Sequence, residues 1–314
     1  MSFSFGGREP IIDKNIFLLT GVTRSGTTFF GKVLGSLKNV EYQFEPPFML
    51  WIPAMSEAGI LEKETAKEFL KANVYEVFYD RILARADNFR PSDDSYILGY
   101  TQLSQLEEKW KKIKNRADAN SFAIERNIKL ALKMPNAQLF YEFYRKVFPE
   151  IKFIHMVRHP FDVALSVQKK GWLSDLSFST PSASFARKTI VYKGKNLNVP
   201  FWLDDESVEG FIASDEFSRG LIYWRIIMYA HLSSAVFNPN SGRDWEFRYE
   251  DLVAEPEKIF NEAYKFIGAE SSEKTKELLA NVKKDRVSIY KPQGKLRIPE
   301  TELARIEAIM SKYG

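Results

Sequence analysis

The run Gly21–Thr28 (GVTRSGTT) contains the groups that an anion-binding loop needs. Four residues separate Gly21 from Gly26, which is the glycine spacing of loops that surround phosphates with backbone N–H groups. Arg24 adds a guanidinium that can donate two parallel hydrogen bonds, and Thr27 and Thr28 add hydroxyl donors. The run therefore predicts a binding loop for phosphate or a similar anion.

One position of this loop differs from a loop that binds nucleoside triphosphates. Such loops have Lys after the second glycine, and Thr27 occupies that position here. Without that lysine, the γ-phosphate of ATP would lose its main partner. The glycine spacing nevertheless leaves an ATP-dependent phosphotransferase as an open alternative. A nucleotide-binding protein without catalysis is a second alternative.

Arg158 and Ser166 form a second candidate anion site. A predicted strand, Lys152–Val157, ends directly before Arg158, and ligands of open α/β sheets bind at the carboxyl ends of strands. Pro160 favours the first turn of a helix, and Ser166 lies about two turns along it. Taken alone, the pair also fits a structural arginine and a solvent-exposed serine. Together with the loop, it favours a nucleotide with phosphates at two positions.

Strands alternate with helices along the chain, so the sequence predicts an α/β fold with a mostly parallel central sheet and helices on both faces. The predicted strands are Asn15–Thr20, Val40–Phe44, Ile128–Lys133, Lys152–Val157 and 245–249. The predicted helices include 61–89, a helix capped by Asn136 that runs to Phe148, 215–237, and one from Pro256 to Gly268. We expect a single domain over residues 1–314, with an irregular insertion at about 170–211 that could act as an acceptor lid.

The loop and the Arg158–Ser166 unit together resemble those of the sulfotransferases that use 3′-phosphoadenosine 5′-phosphosulfate (PAPS). The segment Phe247–Leu252 followed by Glu255-Pro256 is similar to a late strand and loop of that family. The resemblance spans about residues 16–297, with only isolated motifs in the middle. It implies a P-loop NTPase-like sulfotransferase fold and a product nucleotide, 3′-phosphoadenosine 5′-phosphate (PAP). It also implies that the loop binds the 5′-phosphosulfate and that Arg158 and Ser166 bind the 3′-phosphate.

The resemblance is to the branch with a carboxylate base, which includes the tyrosylprotein sulfotransferases and related prokaryotic enzymes. That branch has a Glu about twenty residues after the loop arginine; Glu45 lies 21 residues after Arg24 and is the predicted general base for the acceptor hydroxyl. Glu41 is a weaker rival. Lys133 in Lys-Met-Pro resembles a lysine that assists the leaving oxygen, and Ser25 is predicted to donate a hydrogen bond to the bridging oxygen.

Further nucleotide contacts are predicted at Lys170, Tyr249, Lys295 and Arg297. Lys170 lies twelve residues after Arg158 and suits the 3′-phosphate. Tyr249 is predicted to reach the nucleotide from the late strand, and the basic segment with Lys295 and Arg297 corresponds to a loop that covers the nucleotide in the family.

Composition excludes several other classes of protein. The 45 Lys and Arg residues against 41 Asp and Glu give a net charge of +4 without blocks of like charge, so nucleic acid is not an expected partner. The chain has no cysteine and three histidines, so we predict no metal site. The absence of a long apolar run or a signal sequence predicts no transmembrane segment and a cytoplasmic location. The hydroxyl acceptor can be a small molecule, carbohydrate, lipid or peptide.

Overall fold

The computed structural model describes residues 11–175, 187–282, 290 and 296–313, which divide into two compact units. The first unit contains residues 11–21, 26–157 and 235–282. The second contains residues 22–25, 158–175, 187–234, 290 and 296–313. Both units are discontinuous in sequence, so no linker marks a boundary between them, and the sequence alone predicts a single domain.

The described residues form strands and α-helices whose bounds are as follows. The strands are β1 (Ile16–Gly21), β2 (Val40–Phe44), β3 (Lys129–Lys133), β4 (Lys152–Val157), β5 (Arg187–Tyr192), β6 (Lys195–Pro200) and β7 (Asp244–Arg248). The helices are α1 (Thr27–Ser36), α2 (Phe48–Glu57), α3 (Lys63–Ile82), α4 (Leu103–Lys112), α5 (Arg116–Arg126), α6 (Tyr141–Val147), α7 (Pro160–Gln168), α8 (Val208–Ala213), α9 (Glu216–Ser233), α10 (Tyr249–Ala254), α11 (Pro256–Ile267), α12 (Glu273–Ala280) and α13 (Glu300–Met310).

The first unit is built on a parallel sheet with the strand order β2-β3-β1-β4-β7. Phe17 of the central strand β1 pairs with Ala131 of β3 on one side and with Lys152 of β4 on the other. Every residue of β1 is buried, as expected for an apolar strand covered on both faces. The predicted α/β fold with a mostly parallel sheet is thus confirmed.

The core of the first unit lies between this sheet and the helices packed on it. Phe30, Val33 and Leu34 of α1 are fully buried, at the helical spacing that the sequence shows. The Phe30 ring centroid lies 4.7 Å from that of Phe247 on β7. This packing fixes the start of α1 against the sheet.

Three predicted element boundaries in the first unit are wrong. The helix predicted over 61–89 ends at Ile82. Asn136 does not cap a single helix, because it adopts a left-handed conformation (φ 63°) and is followed by a short 3₁₀-helix, Ala137–Phe140, before α6. The Asn136 N–H instead donates to Gly21 O at 2.9 Å. Tyr249 does not continue β7 but is the first residue of α10.

The second unit contains the helix pair α7 and α9, which cross at a glycine. A Cβ at Gly220 of α9 would lie 2.8 Å from Ala164 Cα of α7, so any larger residue would force the helices apart. This close packing positions α7, the helix that carries Ser166. No helix within the described residues is both long enough and apolar enough to span a bilayer.

The segment predicted to be irregular contains regular structure in the second unit, so that part of the prediction is wrong. Strands β5 and β6 form an antiparallel hairpin, and α8 follows them. Lys193 and Gly194 connect the strands with φ values of 49° and 74°, which match a two-residue hairpin turn with both central residues at positive φ. No residue of β5 is buried and only Val199 and Pro200 of β6 are, so these strands lack the buried apolar face by which a strand is usually recognised.

A buried ion pair holds α13 in the second unit. Arg225 Nε donates to Glu302 Oε2 at 3.0 Å, and both side chains are 5% exposed. Arg225 Nη1 also donates to Asp204 Oδ2 at 3.0 Å. Because both side chains are buried, water cannot take the place of either partner if the other is removed.

Replacing Glu302 with alanine is expected to lower the free energy of unfolding by about 3 kcal/mol, because Arg225 would remain buried with only the partly exposed Asp204 as an ion-pair partner. Urea denaturation would measure this loss. Glu209→Ala is the control: Glu209 is 77% exposed and pairs with the exposed Lys193, so its removal should cost less than about 1 kcal/mol. Equal losses for the two variants would contradict the importance of the buried pair.

Candidate active site

The first unit supplies the second glycine of the loop and the start of α1. Gly26 has φ 95° and ψ 3°, a left-handed conformation that glycine adopts without strain. A Cβ at this position would also lie 2.6 Å from the Tyr249 ring, so both the conformation and the space require glycine. The first turn of α1 contains no acidic residue. Its first backbone N–H groups lack intrahelical acceptors, and this suits an anion.

Lys133 lies beside the start of α1, at the carboxyl end of β3. Its side chain is 1% exposed, and its Nζ donates to Thr28 Oγ1 at 3.2 Å. The same Nζ forms a hydrogen-bonded ion pair with Glu45 Oε1. The Phe44 ring covers the ammonium group at 4.5 Å from the ring centroid. One buried cation thus connects the carboxylate predicted as a base to a hydroxyl of the loop.

The backbone of Glu45 is held in a rarely populated conformation. Glu45 has φ 38°, which is uncommon for a residue with a side chain, and its N–H donates to Lys133 O at 2.8 Å. This hydrogen bond extends the β2–β3 pairing by one residue past Phe44. The carboxylate remains 37% exposed. Strained residues that their surroundings hold in place are frequent at functional sites.

Neighbouring groups of β2 are less suited to act as a base. Glu41 pairs with Lys109, whose Nζ lies 2.6 Å from Glu41 Oε1, and its side chain is only 8% exposed. Burial, with a further contribution from Tyr100 and Glu45, raises the pKa of Tyr42 well above its ordinary value, so this phenol stays neutral. Of Glu41 and Glu45, therefore, Glu45 is the carboxylate that both contacts Lys133 and reaches solvent.

The second unit brings together Arg24, Arg158 and Ser166. Arg24 Nε donates to Ser166 Oγ at 2.9 Å, and Arg158 Nη1 donates to Arg24 O at 3.0 Å. Arg24 has φ 76°, and its guanidinium carbon lies 5.8 Å from the Trp172 ring centroid. Two cations predicted from separate motifs thus lie within one hydrogen-bonded group. Guanidinium groups donate the paired hydrogen bonds that bind phosphate-like anions, so this group suits an anion.

Two side chains of helix α9 form hydrogen bonds with the backbone of this group. Trp224 Nε1 donates to Arg158 O at 3.0 Å, and Thr23 N donates to the Tyr223 hydroxyl at 3.2 Å. Ser25 is fully buried, and its Oγ has no hydrogen-bond partner among the described residues. A buried hydroxyl without a partner is costly, so a bound ligand that accepts from Ser25 would remove this cost.

Three predicted nucleotide contacts remain without structural support. Lys170 is exposed just after α7, and Arg297 is exposed and forms no hydrogen bond or ion pair with the described residues. Lys295 lies outside the described residues. Tyr249, by contrast, packs its ring against Gly26 in the first unit.

The family model described as "Sulfotransferase family" matches residues 16–190, which is more than half of the chain. The chain belongs to the sulfotransferase family. The match includes the loop, Glu45, Lys133 and the Arg158–Ser166 unit. A search of curated proteins finds no match to this sulfotransferase.

Three solved sulfotransferase structures share little sequence with this sulfotransferase. The sulfotransferase domain from the curacin biosynthetic pathway is 13% identical, with 95% of this chain and 96% of that chain covered and a TM-score of 0.50. The sulfotransferase domain from the Synechococcus PCC 7002 olefin synthase is 14% identical, with 95% and 94% covered and a TM-score of 0.48. Sulfotransferase STF9 from Mycobacterium avium is 11% identical, with 97% and 78% covered and a TM-score of 0.44. At these identities the first comparison shows the fold alone.

Sequence reasoning missed several residues that hold the site of this sulfotransferase. The Phe44 ring covers Lys133, and the Trp172 ring lies near Arg24. The Tyr223 hydroxyl accepts from Thr23 N, and Trp224 donates to Arg158 O. Aromatic residues are frequent in this chain, so their type gave no signal. Trp172 alone had a usable clue, since it lies six residues after Ser166 in a segment predicted to have a function.

Proposed function

We propose that this sulfotransferase uses PAPS as its donor and transfers the sulfuryl group to a hydroxyl acceptor. The observation that carries the proposal is the position of Lys133, whose ammonium group contacts both the Glu45 carboxylate and the Thr28 hydroxyl. A carboxylate and a cation thus lie together at the start of the loop helix. These are the two groups that transfer to a hydroxyl with a phosphate leaving group requires.

The residues near the loop fit an anionic donor. Gly26 leaves the backbone open for a close approach, and Ser25 has a buried hydroxyl without a partner among the described residues. We assign the 5′-phosphosulfate to the loop residues Arg24, Ser25, Gly26, Thr27 and Thr28. PAPS supplies the sulfuryl group as a co-substrate, and the chemistry that follows depends on side chains of the chain.

We assign the 3′-phosphate to Arg158 and Ser166, with Lys170 as an additional cation. The Ser166 hydroxyl accepts from Arg24 and so keeps its own proton for an anion. Tyr249, Lys295 and Arg297 remain proposed contacts to the nucleotide. The insertion at 170–211 remains the proposed acceptor lid.

In the proposed reaction Glu45 accepts the proton of the acceptor hydroxyl. The acceptor oxygen then forms a bond to sulfur while the bond between sulfur and the bridging oxygen breaks. The electron pair of that bond leaves with the 5′-phosphate of PAP. Lys133 stabilises the charge on the leaving oxygen, and Ser25 donates a hydrogen bond to it. No metal has a role in this scheme, and the cytoplasmic location remains a prediction.

Calorimetric titration with PAP, ATP and AMP in EDTA tests the donor. We expect PAP to bind with a Kd near or below about 1 μM, which corresponds to about 8 kcal/mol. Arg158→Ala should weaken binding by about tenfold to 150-fold, since a hydrogen bond to a charged group contributes about 1.5–3 kcal/mol.

Lys170→Ala should weaken PAP binding more than Lys169→Ala, the replacement of its exposed neighbour.

The other outcomes of this titration separate the alternatives. Tighter binding of ATP than of PAP would replace the proposal with a phosphotransferase. Binding of PAP without turnover of any hydroxyl acceptor would favour a nucleotide-binding protein without catalysis. Loss of PAP binding in EDTA, restored by Mg²⁺, would contradict a donor site that needs no metal.

A further inference from the structure

Helix α2 has apolar side chains on both of its sides. Its sequence is FMLWIPAMSE, and the stretch Pro46–Ser56 contains no charged residue. A surface helix of a globular protein usually has one apolar and one charged or polar face. Helix α2 lacks the second of these.

One side of α2 is part of the core of the first unit. Met49, Ile52 and Pro53 are buried, and the Tyr144 hydroxyl donates to Met49 O. The helix is therefore fixed in place. The apolar side chains on its other side are not needed to attach it.

The other side of α2 exposes large apolar groups. Trp51 is 57% exposed and Met55 is 40% exposed, and half-buried Phe48 lies three residues before Trp51. The spacing i, i+3, i+7 places Phe48, Trp51 and Met55 on one helix face. We call these three residues the α2 face.

The α2 face follows the proposed catalytic groups directly along the chain. Phe48 lies three residues after Glu45, and the Phe44 ring covers the Lys133 ammonium group. From Phe48 to Met55 the helix rises about 10 Å. An apolar body of that length could lie along the helix while a hydroxyl at its end meets Glu45.

We infer that the α2 face binds the apolar body of the acceptor, so that the acceptor is an amphiphilic alcohol with an alkyl or aromatic chain. This rests on the proposed function. A carbohydrate would lose hydrogen bonds to water on binding here, and Pro46–Ser56 has no charged side chain to replace them. Even at about 250 Å² for each whole side chain, exposed fractions of 57% or less leave the three side chains with less than about 450 Å². That is below the roughly 800 Å² that each partner of a stable protein interface buries, which disfavours a second protein.

The test is a series of unbranched primary alcohols from 1-butanol to 1-octanol, with release of PAP from PAPS as the measurement. Each added methylene group should raise kcat/KM about fourfold, which is the conversion of about 0.8 kcal/mol per buried methylene. Glycerol and methyl glucoside are the polar controls, and they should react far more slowly than 1-octanol.

Trp51→Ala and Met55→Ala should each reduce this dependence on chain length. Trp110→Ala is the matched control, since Trp110 lies on α4 and is also 40% exposed. The control should keep the full dependence. All three variants should bind PAP with unchanged affinity, because none lies in the proposed nucleotide site.

The possible failures are distinguishable. Failure of the unmodified chain to bind PAP would contradict the proposed function. Normal PAP binding with a preference for polar alcohols, or equal effects of Trp51→Ala and Trp110→Ala, would overturn the α2 inference alone. If no alcohol reacts, equilibrium dialysis of radiolabelled 1-octanol with PAP present decides: equal retention by the two tryptophan variants overturns the inference.

Two further measurements identify another occupant. Sedimentation with phosphatidylcholine vesicles that requires Trp51, without an effect on the alcohol series, would assign the face to a lipid surface. Dimerisation that requires Trp51 would assign it to a second copy of the chain. Either result would contradict an acceptor site.

Discussion

Glu45→Gln is expected to lower kcat by about 10²–10⁴-fold, the usual contribution of a general base. The amide has nearly the shape of the carboxylate, and its oxygen can still accept from Lys133, but it cannot take a proton from the acceptor. Affinity for PAP should therefore stay close to that of the unmodified chain. Steady-state kinetics with the best hydroxyl acceptor and calorimetry with PAP would measure the two quantities.

Glu41→Gln is the matched comparison, because Glu41 lies on the same strand and is the other carboxylate that the sequence offers. Its carboxylate is buried against Lys109, so neutralising it should lower stability and leave kcat nearly unchanged. Thermal unfolding separates the two effects. A normal kcat in Glu45→Gln combined with a large loss in Glu41→Gln would move the base to Glu41.

The sheet and the individual motifs could be predicted because their signals are local. Strands β1 and β4 are short apolar runs, as strands buried on both faces require, and Pro160 indicates where α7 begins. The glycine spacing of Gly21 and Gly26 identified the loop. In each case, a few neighbouring residues carried the information.

The contacts that join these motifs could not be predicted, since they connect distant parts of the chain. Lys133 and Thr28 are 105 residues apart, and Arg24 and Ser166 are 142 residues apart. The predicted role of Lys133 came from resemblance, whereas its ion pair with Glu45 depends on the β2–β3 register. Residue type alone does not fix that register.

The hairpin of β5 and β6 was missed for a different physical reason. Val191 is 76% exposed, so apolar residues in β5 do not mark a buried face. The local signals were the turn, where Gly194 follows Lys193, and the alternation of asparagine with apolar residues at 196–199. A lysine in a left-handed conformation is a weak signal compared with Asn-Gly or Asp-Gly.

Lys133→Met is expected to lower kcat by about 10²–10³-fold, the usual cost of removing one group that stabilises charge on a leaving or attacking oxygen. Methionine fits the buried stem of Lys133 and leaves no buried charge. The carboxylate of Glu45 is 37% exposed and stays solvated, so the fold should tolerate the change. Kinetics with the best acceptor and thermal unfolding would test both statements.

Lys129→Met is the control for this variant. Lys129 lies four residues earlier on β3 and on the same face, is 6% exposed, and donates to Asn127 O at 3.0 Å. It forms no ion pair with the described residues and lies at the opposite end of the strand. Its replacement should leave kcat unchanged, and an equal loss of kcat in both variants would mean that β3 tolerates no such change.

Combining Lys133→Met with Glu45→Gln tests whether the two side chains act together. The ammonium group orients the Glu45 carboxylate as well as stabilising the leaving oxygen, so each single variant already removes part of the other residue's contribution. The double variant should therefore lose less than the product of the two single losses, as residues that act as a unit do. Losses that multiply fully would show independent action, and the contact between Lys133 and Glu45 would then have no role in the transfer step.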